Sequence, residues 1–134
     1  MSDYEHYRNR VIVAGSRDFE DYGLVRKTLD GFLADMPPSN TVIVSGMARG
    51  ADMLGERYAK ECGYKVALFP AKWRDEHGNY DPSAGYARNV QMAEIATHLV
   101  VFWDGASKGT RNMLSVARDR DIIVKLVQYE QRKL

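Results

Sequence analysis

Five short runs of apolar, largely β-branched residues alternate with four stretches of helical periodicity along this chain. The apolar runs are Val11–Ala14, Thr41–Val44, Lys65–Phe69, Leu99–Trp103 and Ile122–Val127. The helical stretches cover about 22–35, 51–62, 86–96 and 109–119. Strands that are joined through helices lie parallel and connect by right-handed crossovers. The alternation therefore predicts an α/β fold, a Rossmann-like three-layer sandwich with a five-stranded parallel sheet, in a single domain over residues 1–134.

Local signals predict where the helices end. Apolar residues recur on one face of the first helix, at Val25, Leu29, Phe32, Leu33 and Met36. We expect Pro37 and Pro38 to end this helix, because proline cannot continue the hydrogen-bond ladder and disfavours helical backbone in the residue before it. Gly63 is expected to cap the second helix. The periodicity disappears over 71–85, and a polar, aromatic segment of this length is typical of a lid or a binding loop.

Charge and cysteine content narrow the functions that are open to the chain. It carries 19 basic and 18 acidic residues, a net charge of +1. Proteins that contact many phosphates of a nucleic acid usually have a basic surplus, so this balance disfavours nucleic-acid binding without excluding a local basic patch. The single Cys62 cannot form an internal disulfide, which fits a reducing cytoplasm. With no membrane-length apolar run and no signal-peptide pattern, we expect a cytoplasmic protein without a membrane partner.

Three glycine-bearing turns each follow a strand and precede a helix. They are Gly15–Arg17, Ser45–Asp52 and Gly105–Thr110. Such turns meet at the carboxyl edge of a parallel sheet, where ligands bind in open α/β folds. Glycine permits close approach, backbone N–H groups at a helix start attract anions, and arginine or lysine suits a phosphate. The three turns together predict a site for an anionic ligand, although G-x-G-x-x-G and the Walker motif are both absent.

Other residues are candidates for the same site, each with a structural alternative. Arg88 and Asn89 open the third helix, where they either reach a phosphate, ribose or base or form a solvated helix start. The aromatic residues Trp73, Tyr80 and Trp103 either stack on a nucleobase or pack at strand ends. Asp52 either orients Arg49, meets a ribose hydroxyl, or favours the positive end of its helix.

The candidate ligand-binding residues share a position in or beside these turns. They are Gly15, Ser16, Arg17, Ser45, Gly46, Ala48, Arg49, Gly50, Ala51, Asp52, Trp73, Arg88, Asn89, Lys108, Gly109 and Thr110. No His, Cys or Asp spacing is typical of a metal site, no cofactor motif is present, and no nucleophile–base pair is readable. We therefore expect a nucleotide-type small molecule as the partner, with no metal and no cofactor.

Four stretches in this order resemble the SLOG superfamily of Rossmann-like nucleotide-binding proteins, in its YspA-like (YpsA-related) branch. The stretches are Val13–Phe19, Val44–Asp52, Ala87–Asn89 and Lys108–Thr110. This branch contains small single domains that are frequent in bacteria and their phages and plasmids. The resemblance implies binding of a nucleotide or an ADP-ribose-like ligand by a sensor or processing module. Related proteins often assemble as dimers, so a homodimer is also compatible with the resemblance.

The resemblance implies two alternatives. LOG phosphoribohydrolases carry a Gly-Gly-x-Gly-Thr-x-x-Glu motif, and the position of its catalytic glutamate is occupied here by Met113, which cannot move a proton. The LOG arginine has a counterpart in Arg88, and Asp52, Asp81 or Asp104 would have to supply the carboxylate. The catalytic candidates are therefore Arg88, Asp52 and Asp104, for an N-glycosidase acting on a nucleoside monophosphate. The second alternative is single-stranded DNA binding, as in the related domain of the DNA-processing protein A.

Overall fold

The computed structural model describes residues 4–130. Within this range five strands alternate with four α-helices. The strands are β1 (Asn9–Gly15), β2 (Thr41–Ser45), β3 (Lys65–Leu68), β4 (His98–Trp103) and β5 (Ile123–Gln128). The helices are α1 (Tyr22–Phe32), α2 (Ala51–Cys62), α3 (Ala84–Ile95) and α4 (Lys108–Asp119). A short 3₁₀ helix, Pro38–Asn40, precedes β2.

The five strands form one sheet in the order β3-β2-β1-β4-β5, and all four neighbouring pairs are parallel. Val11 of β1 lies opposite Ile43 on one side and His98 on the other. The chain moves outward from β1 in one direction to β3 and then restarts at β4 on the opposite side of β1. The predicted Rossmann-like parallel sheet is therefore confirmed, with its topological switch point between β1 and β4.

Two apolar cores lie on the two faces of the sheet. Val11 and Val13 pack with residues of α1 and α2, whereas Ile12 and Ala14 pack with residues of α3 and α4. This division follows from the alternation of side chains along a strand. Val11, Ile12 and Val13 are all fully buried, as expected for a central parallel strand that is covered on both faces.

Several predicted boundaries need correction. α1 ends at Phe32, well before Pro37, because the chain leaves the helix through tighter bonds from Ala34 N–H to Gly31 and from Met36 N–H to Leu33. α3 begins at Ala84, two residues earlier than predicted, and β5 is shifted by one residue to end at Gln128. The predicted cap Gly63 is confirmed, with a left-handed φ of 81°.

No helix within residues 4–130 is both long and apolar enough to cross a membrane.

Candidate functional site

The turns after β1, β2 and β4 converge at the carboxyl edge of the sheet, because these strands are neighbours. They surround an opening of about 860 Å³, hereafter the main cleft. Twelve of the sixteen candidate ligand residues line it: Gly15, Ser16, Arg17, Ala48, Arg49, Gly50, Asp52, Trp73, Arg88, Asn89, Gly109 and Thr110. The other four, Ser45, Gly46, Ala51 and Lys108, do not line the main cleft.

The turn after β1 packs directly against the turn after β2. Gly50 has a φ of 79°, and a Cβ at this position would lie 2.6 Å from the carbonyl carbon of Arg17. Ala51 is fully buried, and its N–H group donates to the carbonyl of Ser16 at 3.4 Å. Only glycine therefore fits at position 50, and the first N–H group of α2 is used to hold the two turns together.

Ser45 orders its own turn instead of facing the main cleft. Its hydroxyl donates to Glu56 at 2.7 Å and accepts the N–H group of Met47 at 3.1 Å. Met47 adopts a left-handed φ of 62°, which is costly for a side chain other than glycine, and 43% of the residue is exposed. The turn after β2 is thus held partly by Ser45 at the end of β2, whose hydroxyl is bonded to Glu56 of α2.

Arg88 extends from α3 under the turn after β2. It is 9% exposed, its Nη1 donates to the carbonyl of Gly46, and its Nε donates to Asn89 at 3.1 Å. A Cβ on Gly46 would lie 2.6 Å from Nη1 of Arg88 and 2.8 Å from Oδ2 of Asp52. Position 46 requires glycine because the arginine and the aspartate occupy the space of a side chain.

Asp52 faces this arginine from the first turn of α2. It is 4% exposed, and its carboxylate accepts the N–H group of Ala48 at 3.3 Å. Burial raises the pKa of Asp52 to about 6, against the opposing attraction of the Arg88 charge. Burial also lowers the pKa of Arg88, and the positive charge of Arg17 lowers it further. Asp52 therefore interacts with Arg88 and Ala48, whereas Arg49 is exposed at the cleft.

Asn89 connects α3 to α4. Its amide donates to Asn112 at 3.0 Å and more weakly to the carbonyl of Gly109 at 3.4 Å, and its oxygen accepts from Arg88. Asn89 is 6% exposed, so most of its hydrogen-bonding capacity is used within the protein. The partner Asn112 carries no signal in the sequence, because nothing local relates the two helices.

The turn after β4 has its own capping system. Asp104 accepts the N–H groups of Ala106 and Ser107, each at 2.8 Å, and these bonds lower the pKa of Asp104. Ser107 caps α4, and its hydroxyl contacts that of Thr110 at 3.1 Å. Lys108 is exposed at the first position of α4. The carboxylate of Asp104 is therefore ionised near neutral pH and committed to the turn.

The segment over 71–85, for which the sequence predicts a lid or a binding loop, contains a small hydrogen-bonded hairpin between Trp73 and Asp81 and ends in the first residues of α3. Arg74 and Tyr80 form an antiparallel bridge, and Asp81 N–H donates to the carbonyl of Trp73 at 2.8 Å. The rings of Trp73 and Tyr80 stack with their centroids 6.1 Å apart. The guanidinium of Arg17 lies 5.5 Å from the centroid of Trp73. These three side chains line one wall of the main cleft.

The aromatic candidates separate into two roles. Trp73 and Tyr80 line the cleft, and Tyr86 of α3 joins them although it was not predicted. Trp103 does not line the cleft, and its indole N–H donates to the carbonyl of Ser107 at 3.1 Å, which supports the packing interpretation. Tyr86 is 45% exposed on α3, and helical periodicity alone does not distinguish such a residue from an ordinary surface side chain.

The structure places no carboxylate at the position that the LOG motif would require. Met113 lines the main cleft from α4 and is 1% exposed. Asp81 is exposed, does not line the cleft, and accepts hydrogen bonds from Ser83 at the start of α3. Between residues 4 and 130 no group of three or more His, Cys, Asp or Glu side chains is placed to hold a metal ion.

The sheet order, the switch point and the cleft beside it define a Rossmann-like domain with a candidate ligand site at the carboxyl ends of its strands. Residues 9–76 match the model of the YspA, cpYpsA-related SLOG family. The chain belongs to this family, as its motifs suggested. It is also similar to the Gene 61 protein of Mycobacterium phage D29, with 35% identity over 124 residues that cover 86% of this chain and 93% of the phage protein.

Two solved structures share the fold. DNA processing protein A from Streptococcus pneumoniae superposes with a TM-score of 0.71 and 18% identity over 92% of this chain, which spans about half (51%) of that protein. DNA processing protein A from Helicobacter pylori, solved to describe its single-stranded DNA binding mode, gives a TM-score of 0.65 and 18% identity over 98% of this chain and 70% of that one. At this identity the likeness shows the fold alone.

Proposed function

We propose that the protein binds a nucleotide or a nucleotide-derived, ADP-ribose-like ligand in the main cleft, as a sensor or processing module. The observation that carries the proposal is the convergence of Arg17, Arg49 and Arg88 with the aromatic wall of Trp73 and Tyr80 in one opening. Guanidinium groups suit phosphate oxygens, and aromatic faces suit a base. The volume of about 860 Å³ lies in the range of small-molecule sites.

Further polar groups that line the cleft suit the remaining parts of such a ligand. Ser16 and Thr110 are buried hydroxyl residues that line the cleft, and Glu20 and Asp104 line it as well. Hydroxyl and carboxylate oxygens accept hydrogen bonds from ribose hydroxyls or from an exocyclic amine. A ligand that carries a phosphate, a sugar and a base would meet complementary groups along the length of the cleft.

Calorimetric titration with AMP, ADP-ribose and cyclic nucleotides tests the proposal. Arg49 is exposed, so Arg49→Ala should leave the fold intact while weakening binding by about tenfold, as expected for loss of a charged hydrogen bond. Arg118→Ala is the matched control, because Arg118 is also exposed but lies in the last turn of α4, away from the cleft. Absence of binding to every one of these ligands would sink the proposal.

One observation favours N-glycosidase activity as a second candidate. Of the catalytic candidates, Asp104 is held as an anion by two N–H groups, whereas Asp52 lines the cleft with a pKa of about 6 and can still carry a proton near neutral pH. Chromatography after incubation with AMP should then detect adenine and ribose 5-phosphate, and Asp52→Asn should abolish their release. A protein that binds AMP and leaves it intact is a binding module.

Single-stranded DNA binding is supported by one fact only, the binding mode described for the Helicobacter pylori protein of similar fold. Electrophoretic mobility shifts of a single-stranded oligonucleotide over a salt series decide the matter. Binding that weakens steeply with salt would show phosphate contacts along a strand. With a net charge of +1, we expect little retardation at physiological salt.

We also place the protein in the cytoplasm, in keeping with its unpaired Cys62.

A further inference from the structure

A second, smaller opening of about 350 Å³ lies beside the main cleft, hereafter the side pocket. Arg17, Arg49 and Arg88 line both openings, so the three guanidinium-bearing residues stand between them. Met47 and Ala71 line the side pocket but not the main cleft. The side pocket is thus a separate space that is reached from the same arginines.

The two openings differ in charge. The main cleft is lined by four acidic residues as well as the three arginines, namely Asp18, Glu20, Asp52 and Asp104. Within the described chain no acidic residue lines the side pocket. An anion in the side pocket would therefore meet positive side chains without facing a carboxylate across the cavity, which favours binding there.

The backbone of the turn after β2 offers fewer donors than its sequence suggests. The N–H groups of Met47, Ala48 and Ala51 already donate to Ser45, Asp52 and Ser16. These bonds would have to break before the same groups could bind a phosphate. The positive side chains are therefore better placed to bind the anion than this helix start is.

Arg88 retains unused hydrogen-bonding capacity in this position. Its Nη1 and Nε donate to Gly46 and Asn89, and within residues 4–130 Nη2 makes no hydrogen bond. If Nη2 were fully buried, it would be a buried nitrogen without a partner, and Arg88 has no such atom. Nη2 is therefore accessible. No ion pair within 4.0 Å joins Arg88 to Asp52. Arg88 as a residue is 9% exposed and lines both openings, so its guanidinium is a ready partner for an anionic oxygen.

We propose that the side pocket is the phosphate subsite of this ligand site. The inference rests on the proposed function and adds the orientation of the ligand: its phosphate groups lie in the side pocket and its nucleoside part lies in the main cleft. The ligand would then pass the contact between Arg17 and Trp73, where the base end meets the aromatic wall and the acidic residues face the sugar. The competing location for the phosphate is the start of α4 at Gly109.

The test places the same negative charge in each of the two locations. Ala71→Asp adds a carboxylate to the side pocket, whereas Gly109→Asp adds one to the main cleft at the first turn of α4, where a Cβ meets no atom within 4 Å. Ala71→Asn and Gly109→Asn are the neutral controls of similar size. Calorimetric titration with pyrophosphate and with ADP-ribose measures the affinity of each variant, and thermal unfolding confirms that each is folded.

We expect Ala71→Asp to weaken both ligands by at least about tenfold, because a fixed carboxylate then faces the phosphate at short range. Ala71→Asn should retain the affinity of the unmodified protein, and Gly109→Asp should weaken binding several-fold less than Ala71→Asp. A larger loss in Gly109→Asp places the phosphate at α4 and overturns the inference. An equal loss in Ala71→Asn and Ala71→Asp also overturns it, since shape and not charge would then matter.

The outcomes separate this inference from the proposed function. If the unmodified protein binds ADP-ribose but fails to bind pyrophosphate at millimolar concentration, or if Ala71→Asp leaves ADP-ribose affinity unchanged, the phosphate subsite is overturned and the nucleotide site stands. If the unmodified protein binds neither ligand nor any other nucleotide, both proposals fail together.

Discussion

Replacing the buried carboxylate of Asp52 by an amide should change how the stability of this protein depends on pH. Asp52 is 4% exposed and accepts the N–H group of Ala48 at 3.3 Å. Asn keeps the size of the side chain and one carbonyl oxygen, but it cannot ionise. Any difference in pH dependence between the two proteins therefore reports the ionisation of this one group.

The size of the effect follows from the rise in the pKa of Asp52 from 3.8 to about 6, which is caused mainly by burial. One pKa unit corresponds to 1.36 kcal/mol, so the free energy of unfolding should change by about 3 kcal/mol. The folded protein binds this proton more tightly than the unfolded chain. The contribution of Asp52 is therefore most favourable below pH 4 and is lost as the pH rises through about 6.

Urea unfolding followed by circular dichroism at intervals from pH 4 to pH 8 measures the effect. The unfolding free energy of the unmodified protein minus that of Asp52→Asn should fall by about 2 kcal/mol across this range, because the rest of the effect develops below pH 4. The attraction of Arg88 for the ionised carboxylate is already contained in the pKa of Asp52, and any difference between Asn and the protonated acid shifts the values equally at each pH. A difference that stays constant would show that the attraction of Arg88 cancels desolvation, and one that grows with pH would show that the attraction outweighs it. Either result would refute the reasoning.

Asp104→Asn is the matched control for the direction of the pH dependence. Two backbone N–H groups lower the pKa of Asp104, so its contribution is present above its ordinary pKa and is lost as the pH falls. The two aspartates should therefore give pH dependences of opposite direction, and the titration of Asp104→Asn is extended below pH 4, where the contribution of Asp104 is lost.

Three further substitutions test the geometry of the site. Gly46→Ala should lower the unfolding free energy, measured by urea titration, by about 1–3 kcal/mol, because the added Cβ would lie 2.6 Å from Nη1 of Arg88. The control Gly31→Ala, in open space on α1, should be neutral or stabilising in the same titration. Met47→Gly should raise stability by about 1 kcal/mol by removing the left-handed strain, and a lower thermal midpoint would contradict that account. Trp73→Ala should weaken ADP-ribose binding about tenfold or more and Trp73→Phe less so, whereas equal affinity of all three proteins would exclude stacking on this wall.

The fold was predictable because its signals are local. Each strand is a short apolar run and each helix has its own periodicity, so the order of elements follows directly from the chain. The end of α1 was predicted less well, because Gly31 and the tighter bonds after Phe32 compete with a pattern that continues to Met36. The start of α3 was missed for a similar reason, since the Asp81–Ser83 turn that precedes it has no apolar periodicity.

The meeting of the three turns was predictable for a related reason. Parallel strands bring all their carboxyl ends to one edge of the sheet, so turns that are far apart in the chain must meet there. Twelve candidate residues line one cleft, in accordance with that expectation. Ser45 and Ala51 do not line it, because one orders its turn through Glu56 and the other is buried against the turn after β1.

The sequence alone determined the sheet, the edge at which its turns gather and the family to which those turns belong. Only the tertiary structure decided that Arg88 lies beneath Gly46, that Asp52 is buried beside it, and that the acidic residues line the main cleft but not the side pocket. Periodicity and turn chemistry depend on neighbours in the chain, whereas these contacts join residues up to 42 positions apart. A hydrogen bond requires its partners to lie within about 3 Å, and packing in three dimensions alone determines which side chains meet at that distance.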